Sequence, residues 1–124
     1  MALLILRAYL ELIRIEPYLL RANFPALHDA VRKCSFAPRR LSPHNMEQIC
    51  GAVDIACACY WKHVLCLQRS AATTVLLRRN GWHAHMIIGA QYLPFRAHAW
   101  VEVDGCVVND KPHAAEVYAV LDRC

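Results

Sequence analysis

The sequence FRAHAWVEVDGCVVND, residues 95–110, indicates the fold most clearly. Its two halves read as short strands, and the Asp104-Gly105 pair between them is typical of a tight hairpin turn. We therefore predict an antiparallel β-hairpin. The unusual residue is His98, which stands among alanines at the start of the first strand. A titratable imidazole in that position needs a partner, which another part of the chain has to supply.

Helices are predicted before the hairpin. Apolar residues recur at helical spacing from Leu3 onwards, which indicates a first helix to about Ile15 that Pro17 then ends. A second helix follows and is interrupted by Pro25. Residues 34–41 read as a loop.

Two further helices are expected in the middle of the chain. Ser42-Pro43 predicts the start of the third, because the hydroxyl can cap it and proline suits the first helical position. We expect this helix to end near Trp61. The fourth begins at or just before Cys66 and continues until the breaker at Gly81.

Strands dominate the last third of the sequence. Residues 83–91 alternate as a strand, residues 92–94 turn into the hairpin, and residues 116–121 form a short last strand. Because helices come first and an antiparallel sheet follows, the predicted fold class is α+β, with N-terminal helices packed on a small sheet.

The length of 124 residues suits one domain. We expect residues 1–61 to form its helical part and residues 62–124 to hold the fourth helix and the sheet. The first uninterrupted apolar run, residues 1–6, is far below the ~18 residues that a membrane-spanning helix needs. The N-terminus also lacks the pattern of a secretory signal. We therefore expect a cytoplasmic protein without a membrane span.

The net charge of +4 comes mostly from arginine. We interpret the basic pairs as solvated helix surface, with complementarity to an acidic peptide or partner as the alternative. Nucleic acid is disfavoured, because no aromatic residues are interleaved with the basic ones. The pairs are Arg32/Lys33, Arg39/Arg40 and Arg78/Arg79.

The chain has seven cysteines, a high and odd number. They cannot all pair, and no export signal points to an oxidising compartment. Most are expected to be small buried residues. They are Cys34, Cys50, Cys57, Cys59, Cys66, Cys106 and Cys124.

One cysteine supplies a partner for His98. Cys66 is predicted at a helix N-terminus, where unpaired N–H groups stabilise a thiolate and can hold an oxyanion. A cysteine protease also needs a base and a group that orients the base. His98 and Asp110 fit those two roles. Spacing alone is weak evidence, because seven cysteines and seven histidines give many chance combinations.

The register of the hairpin tests this arrangement. A two-residue turn pairs Val103 with Cys106 and sends His98 and Asp110 to opposite faces. A three-residue loop pairs Glu102 with Cys106 instead and sets His98 across from Asp110. We predict the second register or an equivalent bulge, which also places Cys106 on the face of His98.

Longer motifs surround the three candidates. C-L-x-R-S begins at Cys66, and L-L-R-R-x-G follows from Leu76. P-F-x-A-H-A-W-V-E-V-D-G contains His98, and N-D ends at Asp110. With 32 residues from Cys66 to His98 and 12 from His98 to Asp110, the pattern resembles the leader peptidases of lasso-peptide biosynthesis. That family is a bacterial branch of the transglutaminase-like, papain-like cysteine proteases. The resemblance is close over residues 66–110.

The resemblance implies that Cys66 is the nucleophile, His98 the general base and Asp110 the orienting acid. It implies cleavage of a ribosomally made precursor peptide between leader and core, after which a separate ATP-dependent lasso cyclase acts on the core. Many family members carry a fused domain that recognises the leader. This chain has no room for one, so we expect a separate leader-recognition protein in trans, bound by an exposed helix face or the arginine pairs. No cofactor is expected.

Two other functions stay open. One is a non-catalytic peptide-binding module of the same fold. The other is zinc binding, although the fit is poor because structural zinc sites favour two or more residues between paired cysteines. A second oxyanion donor is also unassigned, because only Gln68 lies near the nucleophile and it is inside the helix. The residues considered for zinc are Cys57, Cys59, His63, His83 and His85.

Overall fold

A computed structural model describes residues 2–38, 44–92, 95–110 and 118–124. Within these residues helices come first and an antiparallel sheet follows, so the predicted α+β class is confirmed. The elements are α1 (Ala2–Leu20), α2 (Phe24–Lys33), α3 (Met46–Cys59), α4 (Cys66–Arg79), β1 (Ala84–Tyr92), β2 (Phe95–Val103), β3 (Cys106–Val107) and β4 (Ala119–Arg123).

Helix α1 passes through Pro17, so the prediction that this proline ends the helix is wrong. Proline removes one helical hydrogen bond and crowds the carbonyl four residues earlier. The carbonyl that loses its helical donor is that of Ile13. The carbonyl of Leu12, one residue earlier, accepts a 2.9 Å hydrogen bond from Gln68 Nε2 of α4. The same amide group donates to the carboxylate of Glu16 at 2.9 Å. These tertiary hydrogen bonds tie α1 to α4 in the turn before Pro17.

The interruption predicted for α2 and the start predicted for α3 also need correction. Pro25 lies in the first turn of α2 and does not interrupt it, because an N–H is not needed there. Helix α3 begins at Met46 and is capped by Asn45, whose side chain accepts from Gln48 N while Gln48 reaches back to Asn45 N. This reciprocal capping box fixes the start. The predicted cap, Ser42-Pro43, lies outside the described residues.

The sheet has the strand order β3-β2-β1-β4. Strands β1 and β2 pair antiparallel from Ala84 opposite Val103 to Tyr92 opposite Phe95, as the alternation predicted. Strand β4 adds to the other edge of β1 and begins later than predicted. Residues 93–94 and the first part of the predicted last strand lie outside the described residues.

The two faces of the sheet are packed differently. Met86 and Val101 face the main core, which includes buried side chains of α1, α3 and α4. On the opposite face Ile87 and Trp100 form a smaller cluster, against which Val107 and Tyr118 pack. Strand alternation places His98 on this second face, and its ring stacks on Trp100 with centroids 6.0 Å apart.

Arg78 is not solvated helix surface, so that interpretation is wrong for the first residue of the pair Arg78/Arg79, whereas Arg79 is exposed. Arg78 is only 2% exposed. Its guanidinium donates to the carbonyls of Val31, Ala84 and Cys124 and so joins α2, β1 and the end of the chain. Arg79 forms an ion pair with Glu11 of α1.

Among the described residues, no helix is a candidate for crossing a membrane. None of these helices combines the length and the apolar character that crossing a bilayer requires.

We predict that Gly89→Ala destabilises the protein. A Cβ at this position would lie 2.7 Å from the ring of Trp100 and 2.8 Å from Cβ of Tyr118. Since Trp100 is fully buried, the clash should lower the free energy of unfolding by about 1–3 kcal/mol.

Gly51→Ala in α3 is the control, because a Cβ there meets nothing within 4 Å. It should raise the free energy of unfolding by about 0.5–1 kcal/mol, since alanine favours the helix. Urea unfolding curves measure both changes. Equal stability of Gly89→Ala and the parent protein would contradict this account of the packing.

Candidate active site

The hairpin has a two-residue turn, so the predicted three-residue loop is wrong. Val103 pairs with Cys106 and Glu102 with Val107. Asp104 and Gly105 have φ angles of 52° and 79°. Both values suit the turn whose twist matches that of the flanking strands, and aspartate tolerates the left-handed conformation. Cys106 therefore shares the face of Val103, not that of His98 as expected.

Strand β3 leaves the sheet after only two residues. Val108 N still donates to the carbonyl of Val101 at 3.0 Å. The amide of Val101, however, donates to Oδ1 of Asn109 at 2.8 Å, where a regular ladder would use a backbone carbonyl. The side chain of Asn109 thus completes the edge of β2 while the main chain turns away.

This turn brings Asp110 to His98, although a regular two-residue hairpin would have put them on opposite faces. His98 Nε2 and Asp110 Oδ2 form a hydrogen-bonded pair, and the two side chains are 25% and 26% exposed. The predicted contact is therefore present, and the departure of the chain from the ladder after β3 accounts for it. Because Nε2 is engaged with the carboxylate, Nδ1 is the ring nitrogen left for a thiol.

Cys66 is the first residue of α4 and is exposed. Leu65 is the N-cap and provides no side-chain acceptor, so the amides of the first turn have no side-chain cap. Uncapped N–H groups carry a positive partial charge that favours an anion such as a thiolate. This confirms the predicted position of Cys66 at a helix N-terminus.

Cys66 and His98 line the same cavity, which has a volume of about 310 Å³. The cavity walls are almost entirely apolar. The other lining residues are Phe24, His28, Leu67, Ile88, Ala97 and Ala99. Asp110 therefore holds the ring of His98, and His98 and Cys66 both border this cavity.

Gln68 is not available as an oxyanion donor. It is fully buried, and its Nε2 is used by Leu12 and Glu16 of α1. The groups of α4 that can stabilise an oxyanion beside Cys66 are its first-turn amides. Gln68 instead fixes the beginning of α4 against α1.

The residues considered for zinc do not come together in the described part of the chain. His83 stacks on Phe36 with centroids 4.8 Å apart, and His85 Nδ1 lies 3.2 Å from the carbonyl of Cys124. The grouping of potential ligands found among described residues involves none of the cysteines or histidines in question. It consists of His28, Asp122 and Cys124.

The Asp122 group is better explained as an ion pair. Arg32 donates to both carboxylate oxygens of Asp122 at 2.6 Å. Burial opposes ionisation of Asp122, but the hydrogen bonds and charge of Arg32 outweigh it and hold the pKa of this carboxyl below its ordinary value. Burial and the nearby carboxylate raise the pKa of the Cys124 thiol to about 11. A metal is disfavoured here because Arg32 already occupies both carboxylate oxygens and because the Cys124 ligand would have to lose its proton.

The cysteines are less buried than expected. All seven are free, and only Cys124 is buried. Burial raises the pKa of the half-buried Cys50 to about 11, which keeps it a thiol at neutral pH. Cys59, Cys66 and Cys106 are exposed. Among these three, Cys66 alone begins a helix.

Two residues of the site were missed by sequence reasoning, Ser70 and Asn109. Both lie in the matched motifs, but neither received a role. Both are buried, with 1% and 8% exposure. A buried serine one turn after the candidate nucleophile, and an asparagine directly before the candidate acid, were the available signals.

The fold and this arrangement define a class of protein. The sequence matches the family described as the transglutaminase-like superfamily over residues 10–123. The chain belongs to this superfamily.

A curated relative agrees with the resemblance drawn from the motifs. The chain is 39% identical over 56 residues to the Microcin J25-processing protein McjB of Escherichia coli. The match covers 45% of this chain and 27% of that protein. No solved structure gives a significant match.

We predict that Cys66 is alkylated by iodoacetamide faster than the other cysteines at neutral pH. The amides of α4 favour its thiolate, and a neighbouring imidazole can accept its proton. His98→Ala should slow Cys66 without changing Cys59 or Cys106. Peptide mass spectrometry over a time course measures each site.

Cys50 and Cys124 provide the opposite control. With a pKa of about 11 they should react slowly at neutral pH and faster as the pH approaches 11. If Cys66 reacts no faster than the exposed Cys59, it is not an activated thiol.

Proposed function

We propose that this protein is a cysteine peptidase that removes the leader from a lasso-peptide precursor. The observation that carries the proposal is the His98–Asp110 pair on the cavity onto which Cys66 opens. Each group has the chemical character of its role: a nucleophile, a general base and an acid that orients the base.

The proposed reaction begins with transfer of the Cys66 proton to Nδ1 of His98. The thiolate attacks the scissile carbonyl, and the amides at the start of α4 stabilise the oxyanion. When the C–N bond breaks, His98 returns the proton to the leaving amine, and the leader remains as a thioester on Cys66. Water, deprotonated by His98, then attacks the thioester and releases the leader as a carboxylic acid. Asp110 stabilises the imidazolium in both steps.

The proposed substrate is a ribosomally made precursor peptide. Support comes from the partial match to a protein whose name describes it as processing microcin J25, and from the motifs that resemble leader peptidases. The product of the proposed cleavage is a core peptide with a free amine. A separate ATP-dependent cyclase would use that amine.

A leader-recognition protein acting in trans is also part of the proposal. Helix α1 exposes an apolar strip, formed by Leu3, Leu6, Leu10 and Ile13, each at least 46% exposed. Arg7 and Arg14 are exposed beside it, whereas both acids of α1, Glu11 and Glu16, are buried. A second copy would bring arginines against arginines. The strip therefore suits a partner with an apolar surface edged by carboxylates.

Cleavage of a candidate precursor, mixed with this protein and the leader-recognition protein, tests the activity. Mass spectrometry should show a single cut between leader and core. Cys66→Ala should abolish it, since the nucleophile is lost, whereas Cys106→Ala should preserve it because Cys106 faces away from His98.

Two results would count against the proposal. Cleavage that persists in Cys66→Ala would exclude this nucleophile. Precursor binding without cleavage by the parent protein, across several precursors, would favour the non-catalytic peptide-binding module.

We predict that Leu6→Glu with Leu10→Glu weakens the partner interaction. Two charges in the apolar strip should raise the concentration of recognition protein needed for half-maximal cleavage by roughly tenfold or more. The thermal midpoint should stay near that of the parent protein, because both side chains are exposed.

Ile55→Glu on α3 is the matched control, since Ile55 is also a large apolar residue exposed on a helix. It should leave the half-maximal concentration unchanged. An unchanged value for the α1 variant as well would show that the partner binds elsewhere.

A further inference from the structure

Three elements meet at the edge of β2 beyond the point where β3 ends. Ser70, on the second turn of α4, donates its hydroxyl to the carbonyl of Ala99 at 3.1 Å. Asn109 donates from Nδ2 to the same hydroxyl at 3.2 Å and accepts from Val101 N at 2.8 Å. Ala99 and Val101 are two residues apart on β2, so their backbone groups lie on the same edge.

The network supplies hydrogen-bond partners to backbone groups of β2 at the edge where β3 has ended. A buried backbone N–H or C=O group that loses its partner in the sheet lowers the stability of the fold unless another group takes the place of that partner. Asn109 and Ser70 both lie in the interior and supply one acceptor and one donor to β2. The main chain is then able to leave the ladder before residue 110 without exposing unpaired groups.

We propose that Asn109 and Ser70 are positioning residues that set the alignment of Cys66, His98 and Asp110. The inference rests on the proposed function for its catalytic consequence, but its geometry is independent of any substrate.

Cys66, His98 and Asp110 each lie close in the chain to one residue of this hydrogen-bond network. Asp110 directly follows Asn109, and His98 directly precedes Ala99, whose carbonyl accepts from Ser70. Cys66 lies one helical turn before Ser70 on α4. One buried serine–asparagine contact therefore connects the helix that carries the thiol, the strand that carries the imidazole and the bend that carries the carboxylate.

The bend decides the face on which Asp110 lies. In an uninterrupted two-residue hairpin Asp110 would oppose Ala99 and point away from His98. The side chain of Asn109, by replacing a backbone acceptor, allows the chain to change direction within one residue. Without that acceptor, the amide of Val101 would favour a backbone partner and a regular strand.

The test uses Asn109→Ala and Ser70→Ala, with Thr73→Val as the control. Thr73 is a buried hydroxyl on the same helix, but its hydrogen bond runs to the carbonyl of Arg69 within α4. Removing it perturbs the helix interior without touching the sheet edge. Circular dichroism and thermal unfolding establish which variants remain folded.

Two readouts are needed. The first is the ring N–H proton of His98 in its bond to Asp110, seen by NMR downfield of the amides and assigned by its absence in Asp110→Ala. The second is precursor cleavage, resolved into kcat and KM. A reacting group displaced by about 1 Å can cost about 10²-fold, so we expect kcat to fall roughly tenfold to a hundredfold. KM should change little, because the cavity is intact.

The expected result is loss of the NMR signal and of kcat in Asn109→Ala and Ser70→Ala, with both retained in Thr73→Val. If Asn109→Ala does not fold, Ser70→Ala decides, because it leaves the Asn109–Val101 hydrogen bond in place. Persistence of the signal in the folded variants would overturn the proposal. Should even the parent protein fail to cleave, the NMR readout alone decides the positioning role, and only the proposed peptidase function falls.

Discussion

The burial of α4 between the other helices and the sheet is the constraint on which the rest of the structure depends. Ten of its fourteen residues are buried, from Gln68 to Arg78. A helix buried on most sides cannot shift without breaking packing in two directions. Its N-terminus is the part that emerges, and Cys66 occupies it. The thiol is therefore held by a rigid element, in a field that favours its anionic form.

Polar contacts fix both ends of this helix. Near the start, Gln68 bonds to α1. At the end, Arg78 bonds to carbonyls from α2, β1 and the last residue. Buried polar groups contribute little net stability but are expensive to leave unpaired, so they select one arrangement among similar packings. We infer that these two residues determine the axial position of α4, and with it the position of Cys66 relative to β2.

The sequence was informative where a pattern is local. The α+β order, the alternation of β1 and β2, and the helix start at Cys66 all follow from periodicity or breakers within a short window. The errors in the helices came from prolines. Pro17 remains inside α1, and the turn before it is held by Gln68, which lies 51 residues later in the chain and bonds to the carbonyl of Leu12. No local rule contains a contact from so far away.

Arg78 was misinterpreted and Asn109 was overlooked for a related reason. Arg78 looked like a charge on a helix surface, because its partners are backbone carbonyls that no residue type reveals. Asn109, directly before Asp110, received no role. A side chain that replaces a main-chain group leaves no trace in hydrophobic pattern or charge, and becomes visible only when the sheet is built.

The hairpin shows how a correct contact can follow from a wrong register. Strand periodicity is two, so a shift of one residue exchanges the faces of every later side chain. The three-residue loop was one way to achieve that shift at the turn. The protein keeps the favourable two-residue turn and makes the shift afterwards, where Asn109 completes the edge of β2. This separates two demands: the turn is free to match the twist of the strands, and the bend is free to orient Asp110. Because the bend bonds to Ser70 of α4, the orientation of the carboxylate depends on the same helix that presents Cys66.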